Sequence, residues 1–251
     1  MKITSRLKKI LQKSIHDFFD FIFPPQCPYC DKIINRQQIL CDECFQKIHF
    51  ITGSICYRCG RPLPASDTNE KLLCAKCLKK RKAYDMARSV FFYEPFSRFA
   101  ILKLKNADRT DLRWFFVHFM LHAGRDLFDK TDIIIPVPLY WYRKAKRKYN
   151  QSAVLGELLA KKINKQYSES TLIKIRNTHS QEKKSGKERI KNVKDAFDVR
   201  KPNLIYGKTV LLIDDVLTTG ATAESCAKTL KKHGAKAVYV LTIALSVHNR
   251  F

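Results

Sequence analysis

Residues 210–222 read Val-Leu-Leu-Ile-Asp-Asp-Val-Leu-Thr-Thr-Gly-Ala-Thr, and no other stretch restricts the fold as much. Four apolar residues run into the adjacent acids Asp214 and Asp215. The segment Val216, Leu217, Thr218, Thr219, Gly220 follows, and Ala221 and Thr222 open an Ala-rich helical pattern over 221–233, with Gly234 as its stop. A strand, a loop and a helix N-terminus in this order make an anion site, because the first N–H groups of a helix have no intrahelical partner. Gly220 permits close backbone approach, and the three threonines add hydroxyls. The two carboxylates repel phosphate, so they serve another part of the ligand. Vicinal sugar hydroxyls, or a divalent cation bridging them, fit that role.

Eight of the nine cysteines form four Cys-x-x-Cys pairs: Cys27/Cys30, Cys41/Cys44, Cys56/Cys59 and Cys74/Cys77. Two such knuckles complete one tetrahedral thiolate set, so eight ligands make two zinc sites. A disulfide framework would need an oxidising compartment, and the chain shows no secretory signal. Closed four-cysteine sites leave no open coordination position, so both zincs are expected to be structural. Sequential pairing is the simplest arrangement, and an interleaved cross-brace stays open. Cys226, outside the pairs, reads as a small buried residue.

The remaining chain alternates strands and helices. Residues 87–93, 132–138, 210–213 and 238–243 read as strands, and 96–128 as helix with a break at 108–111. In that helical stretch Trp114, Phe115, Phe116 and Phe119 are expected to form a core face. Residues 150–163 read as a further helix. Residues 172–196 are polar, basic and poorly patterned, which suggests a mobile loop or lid. The alternation indicates an α/β domain with a mostly parallel sheet, in which ligands sit beyond the carboxyl ends of the strands. The loops after Pro136 and around Asp214 both lie at such ends and can share one site.

The net charge of +25 is unevenly spread: residues 140–194 hold sixteen Lys or Arg against four Glu, a net of +12. Such a cluster suits nucleic acid, anionic lipid or polyphosphate. The interleaved Tyr140, Trp141, Tyr142 and Tyr149 suit base stacking in single-stranded DNA, with packing inside the protein as the equal alternative. No apolar run is long enough to span a membrane, and residues 3–23 read as an amphipathic helix that packs on the protein or a partner, with weak membrane-surface contact as a further reading.

Two resemblances arise from these motifs. The 210–222 string resembles the 5-phosphoribosyl-1-pyrophosphate (PRPP) motif of type I phosphoribosyltransferases, in which the acidic pair holds the ribose 2′- and 3′-hydroxyls and the loop holds the 5′-phosphate. Across the chain, the cysteine knuckles are followed by Pro136-Val137-Pro138-Leu139, a basic turn, Tyr149-Asn150-Gln151, Arg176 to Gln181, Arg189-Ile190-Lys191-Asn192 and the Asp-Asp motif. This order resembles the ComF family of competence proteins from about residue 21 to 245.

That resemblance implies a double zinc ribbon over 25–82, after an N-terminal helix over 1–24, and a type I phosphoribosyltransferase-like α/β domain over 83–251. It implies a cytoplasmic role in natural transformation, handling imported single-stranded DNA, with a ComFA-type helicase and DNA-processing proteins as partners. Its implied ligand is PRPP with Mg²⁺, beside two structural Zn²⁺ sites. Val137, Pro138 and Leu139 then fall at the pyrophosphate loop, with Arg143 and Lys144 just after it. Arg176, Gln181 and Arg189 fall in the loop that closes over ligand, and Lys105 matches a recurring lysine. Lys148-Tyr149-Asn150-Gln151 replaces the family's frequent Arg-Gly-Phe-Asn-Gln. Thr218 stands where some purine enzymes carry an Asp base, so purine transfer by that route is disfavoured. An active Mg²⁺-dependent phosphoribosyltransferase of nucleotide or small-molecule metabolism is the alternative function.

Overall fold

A computed structural model describes residues 24–35, 39–64, 71–105, 112–140, 149–176 and 195–247. The chain forms two compact units, Met1–Ile48 and His49–Phe251. The second four-cysteine set therefore belongs to the same unit as the sheet. Among the described residues no helix is long and apolar enough to cross a membrane. The expected helix at 3–23 lies outside the described residues.

In chain order the described elements are helices α1 (Asp42–Phe45) and α2 (Ala75–Lys79), strand β1 (Met86–Phe92), and helices α3 (Pro95–Lys105), α4 (Leu112–Ala123) and α5 (Arg125–Phe128). Strand β2 (Ile133–Pro136), helix α6 (Gln151–Ile163), and strands β3 (Gln166–Tyr167), β4 (Leu172–Lys174), β5 (Phe197–Val199) and β6 (Thr209–Leu217) follow. Helix α7 (Ala221–Lys232) and strand β7 (Ala237–Leu245) complete the set. Five strands make one sheet in the order β1-β7-β6-β2-β3, and every neighbouring pair is parallel.

The apolar runs explain this sheet. Residues 210–213 and 238–241 are all buried, as strands covered on both faces require. One face carries Ile133, Ile135, Val210, Leu212, Val238 and Val240, packed with Ala223, Cys226, Ala227 and Leu230 of α7. On the opposite face Gly156 of α6 lies close to Ile134, Ile213 and Tyr167, where a Cβ would come within 3.2–3.6 Å of their side chains. The two helices thus cover opposite faces. The chain leaves β2 through α6 towards β3, and leaves β6 through α7 towards β7. The carboxyl ends of β2 and β6 are therefore where the chain direction diverges, the place at which such sheets form a ligand crevice.

Three expectations need correction, and one open alternative is decided. β6 does not end at Ile213: Asp214, Val216 and Leu217 pair with Thr242, Ala244 and Leu245, because β7 is nine residues long and extends the ladder. The acids thus sit on the rigid end of a strand. Residues 172–196 are not wholly loop: β4 and β5 form an antiparallel pair, since Leu172, Phe197 and Val199 reach the α7-side core. Trp114 is not core; it is 51% exposed, while Phe115 and Phe116 are buried. Four aromatics in six residues exceed the width of one helical face, and Trp114 falls outside the buried stripe. Of the two readings of the interleaved aromatics, Tyr149 takes the internal one: it is half-buried and its hydroxyl donates to the Leu104 carbonyl. Trp141 and Tyr142 lie outside the described residues.

Candidate metal centres and phosphoribosyl site

The four cysteine pairs assemble sequentially. Sγ atoms of Cys27, Cys30, Cys41 and Cys44 lie within 4.8 Å of one another, and those of Cys56, Cys59, Cys74 and Cys77 do the same. The interleaved arrangement is thereby set aside. Cys30 and Cys41 approach to 3.6 Å, as do Cys59 and Cys74. A tetrahedral zinc with bonds of about 2.3 Å demands sulfur separations of about 3.8 Å. The donor set and its spacing therefore fit Zn²⁺, and all eight thiols are free of disulfides.

The two sets share one local design. Cys27 N–H donates to the Lys32 carbonyl at 2.8 Å and Asp31 N–H to the Cys27 carbonyl at 2.9 Å. Cys56 N–H to Arg61 and Gly60 N–H to Cys56 repeat this at 2.7 and 2.9 Å. Each knuckle turns on a left-handed residue after its second cysteine, Asp31 (φ 58°) and Gly60 (φ 67°). Each second pair begins at the N-cap of a short helix, Cys41 before α1 and Cys74 before α2. Only Gly fits at position 60, because a Cβ there would stand 2.5 Å from the Ala87 carbonyl oxygen of β1.

At the sheet's carboxyl edge, Val137 N–H donates to the Ile213 carbonyl at 2.9 Å. The loop carrying Val137, Pro138 and Leu139 is thereby fixed beside the acidic end of β6. Asn150 caps α6: its side chain accepts from Ser152 N–H at 3.1 Å, and its amide donates to the Val137 carbonyl at 3.1 Å. Ser152 Oγ then donates to Asp214 Oδ1 at 3.3 Å, and Asp215 N–H donates to the same oxygen at 2.9 Å. One carboxylate is thus held from both its own strand and the neighbouring helix. Buried Cys226 lies beneath this end of β6; burial, and after it the Asp214 carboxylate, push its thiol well above the ordinary range.

The turn itself is Thr218, Thr219 and Gly220. Both threonines are exposed. Gly220 is the left-handed N-cap of α7 (φ 75°) and has no side chain to cap the helix itself. Ala221 and Thr222 begin the first turn, with Ala221 N–H directed to Thr219 Oγ1 at 3.4 Å. The arrangement presents hydroxyls and N-terminal amides at the positive end of a helix dipole.

The residues anticipated for one site separate into three groups. Asp214 to Thr222 and Val137 to Leu139 come together at the β2/β6 edge. Arg176 is exposed and donates from Nε to the Asp195 carbonyl at 3.0 Å, where the β4–β5 hairpin leaves the described chain. Lys105 is the last residue of α3, with its side chain outside the described set; Arg143, Lys144, Gln181 and Arg189 lie outside the described residues. Ser152 and the capping role of Asn150 were not anticipated. The N-cap pattern of Asn150 before an apolar helix was the available signal, whereas nothing local points Ser152 at a residue sixty-two positions away.

Fold, cysteine sets and turn together define a double zinc ribbon joined to a type I phosphoribosyltransferase-like domain. Family-level matching agrees, with a double zinc ribbon domain over residues 18–81 and a phosphoribosyl transferase domain over residues 150–250. The chain is 32% identical over 192 residues to the DNA utilization protein YhgH of Escherichia coli K12, covering 74% of this chain and 82% of that protein. It is 29% identical over 236 residues to Competence protein F of Haemophilus influenzae, covering 91% and 98%. To Competence protein ComFC of Bacillus subtilis it is 29% identical over 212 residues, covering 82% and 83%. The chain belongs to the ComF family.

Proposed function

We propose that this chain is a cytoplasmic competence protein that handles imported single-stranded DNA and carries a PRPP site at the β2/β6 edge. The observation that carries the site is the fixed approach of the loop after β2 and the start of α6 to the acidic part of β6: Val137 bonded to Ile213, and Asp214 held by Ser152. Asp214 and Asp215 would accept from the ribose 2′- and 3′-hydroxyls. The hydroxyls and amides of 218–222 would hold the 5′-phosphate, and the Val137–Leu139 backbone would face the pyrophosphate, with Mg²⁺ accompanying it. Lys105, Arg143, Lys144, Arg176, Gln181 and Arg189 would supply further cationic and polar contacts. Relatives named for competence and DNA utilization support the biological setting.

The DNA reading has its own support on α4. The exposed Trp114 ring lies under two cations, Lys162 Nζ at 5.2 Å and the Arg113 guanidinium at 5.8 Å from its centroid. An open indole flanked by positive charge suits a stacked base with its phosphate nearby. Single-stranded DNA, a ComFA-type helicase and DNA-processing proteins are the corresponding partners. Two measurements test the proposal: single-strand affinity should fall steeply with salt through counterion release, and an Asp214→Asn/Asp215→Asn double variant should lower transformation frequency. A flat salt response refutes the DNA part, and unchanged transformation refutes a role for the acidic pair.

The alternative, an active Mg²⁺-dependent phosphoribosyltransferase, makes a different forecast. Pyrophosphate would leave C1 as the ribose becomes oxocarbenium-like, and an acceptor would take its place. Pyrophosphate release from PRPP in the presence of acceptor, abolished in the double variant, would favour it.

A further inference from the structure

The segment joining the second ribbon to β1 contacts α7 at both ends. Ala83 N–H donates to Glu224 Oε2 at 2.9 Å, in the first turn of α7. Asp85 accepts from Lys231 Nζ in the last turn at 2.9 Å and from Val238 N–H at 2.9 Å, and its own N–H donates to the Val238 carbonyl at 2.8 Å. Between them Tyr84, 2% exposed, lies against the phosphate turn. A Cβ built on Gly220 would stand 3.3 Å from its hydroxyl and 3.8 Å from its ring. Tyr84 thus floors the residue whose left-handed conformation starts α7.

The same segment is held from the other side by the ribbon. Cys59 and Ala83 pack against the buried cluster that contains Tyr84, Ala87, Leu217 and Ala223. Gly60 abuts the Ala87 carbonyl. Arg88 Nη1 donates to the Tyr57 carbonyl at 3.0 Å, while its Nε and Nη2 bind Asp126 Oδ2 at 3.0 and 2.6 Å. In many small cysteine-ligated zinc modules, metal binding supplies the free energy that orders the knuckles. The path from thiolate to phosphate turn is therefore short: Cys59 packs on the buried cluster that contains Tyr84, and Tyr84 lies against Gly220.

We infer that Tyr84 is a positioning residue for the phosphate turn, and that zinc in the second four-cysteine set, by fixing the segment that carries Tyr84, governs the affinity of that turn for a phosphoribosyl ligand. The inference rests on the reading of 218–222 as a phosphoribosyl site. Its physical basis is preorganisation: amides held in place bind an anion without the cost of ordering the turn. The first four-cysteine set lies in the other compact unit and supplies an internal control.

The test uses the full-length, zinc-loaded chain and three variants: Cys77→Ser, Cys44→Ser and Tyr84→Ala. Zinc content, amide exchange at 218–222 without ligand, and Kd for Mg²⁺-PRPP are measured for each. Cys77→Ser should lose one of two zincs, with loop exchange and Kd rising at least about tenfold. Tyr84→Ala should show both changes with its zinc retained, and Cys44→Ser should lose one zinc with both quantities within about twofold of the parent. Unchanged loop exchange in Cys77→Ser and Tyr84→Ala overturns the inference, as does an equal effect from Cys44→Ser. If the parent protein fails to bind Mg²⁺-PRPP, the reading of the site fails, while loop exchange still decides the coupling. Should Cys77→Ser not fold, Tyr84→Ala together with the milder Tyr84→Phe decides by the same exchange measurement.

Discussion

Ser152 Oγ donates to Asp214 Oδ1 at 3.3 Å, joining the first turn of α6 to the end of β6. This bond orients the carboxylate from outside its own strand. Ser152→Ala should therefore leave the fold intact and raise the Kd for Mg²⁺-PRPP by about five- to tenfold, the value of one ordinary hydrogen bond, since this one is long. Equal affinities in the parent and variant proteins would show that Asp214 is positioned by its strand alone.

Gly60 and Gly53 both have positive φ, but only Gly60 faces a strand. A Cβ at 60 meets the Ala87 carbonyl oxygen at 2.5 Å, and one at 53 meets nothing within 4 Å. Gly53→Ala should cost about 1 kcal/mol from left-handed strain alone. Gly60→Ala should cost about 3 kcal/mol or more, since the backbone of β1 must move. Denaturant midpoints give the comparison, and equal losses would contradict the close packing of the second ribbon on β1.

His118 and His122 face each other on α4 with ring centroids 5.3 Å apart. His118 is exposed overall, but partial desolvation of its ring first, and then His122, hold its pKa below the ordinary 6.5. The folded state therefore binds fewer protons than the unfolded chain once the pH drops below 6.5. Stability contributed by neutral His118 is present above that value and is lost as pH falls towards the lower folded pKa. Between about pH 7.5 and 5.5 the parent protein should lose more stability than a His118→Gln variant. Both carry the same zinc sites, so acid release of metal cancels in the difference, and identical slopes would contradict the shift.

Trp114 separates the two components of DNA affinity. Trp114→Ala should weaken single-strand binding by about 1–3 kcal/mol, one stacked base, while leaving the salt dependence unchanged. Lys162→Ala should instead make the logarithmic salt slope shallower by about one. Filter binding or anisotropy at several salt concentrations distinguishes them, and indifference to both substitutions would move the DNA surface elsewhere.

Much of this is legible in the amino-acid sequence itself. The Cys-x-x-Cys spacing announced two tetrahedral sets, because a thiolate pair on a tight turn has few other uses. The apolar runs at 210–213 and 238–243 announced buried parallel strands. Three features were not legible. Whether Asp214 and Asp215 belong to strand or loop depends on how far β7 continues the ladder. Trp114 looked apolar in sequence and sits in solvent beside Lys162, forty-eight positions away. The floor beneath Gly220 comes from Tyr84, just ahead of the strand expected at 87–93, where nothing local points its ring at a turn 136 positions away. All three are set by long-range packing, which period and spacing do not encode.

Calorimetric titration of the full-length, zinc-loaded chain with Mg²⁺-PRPP tests the central claim most directly, run beside the Asp214→Asn/Asp215→Asn double variant. Saturable binding at one site in the parent protein, lost in a double variant that keeps its zinc and its melting profile, is the predicted result. No heat from the parent, or equal binding by both proteins, would contradict the assignment of the 210–222 turn.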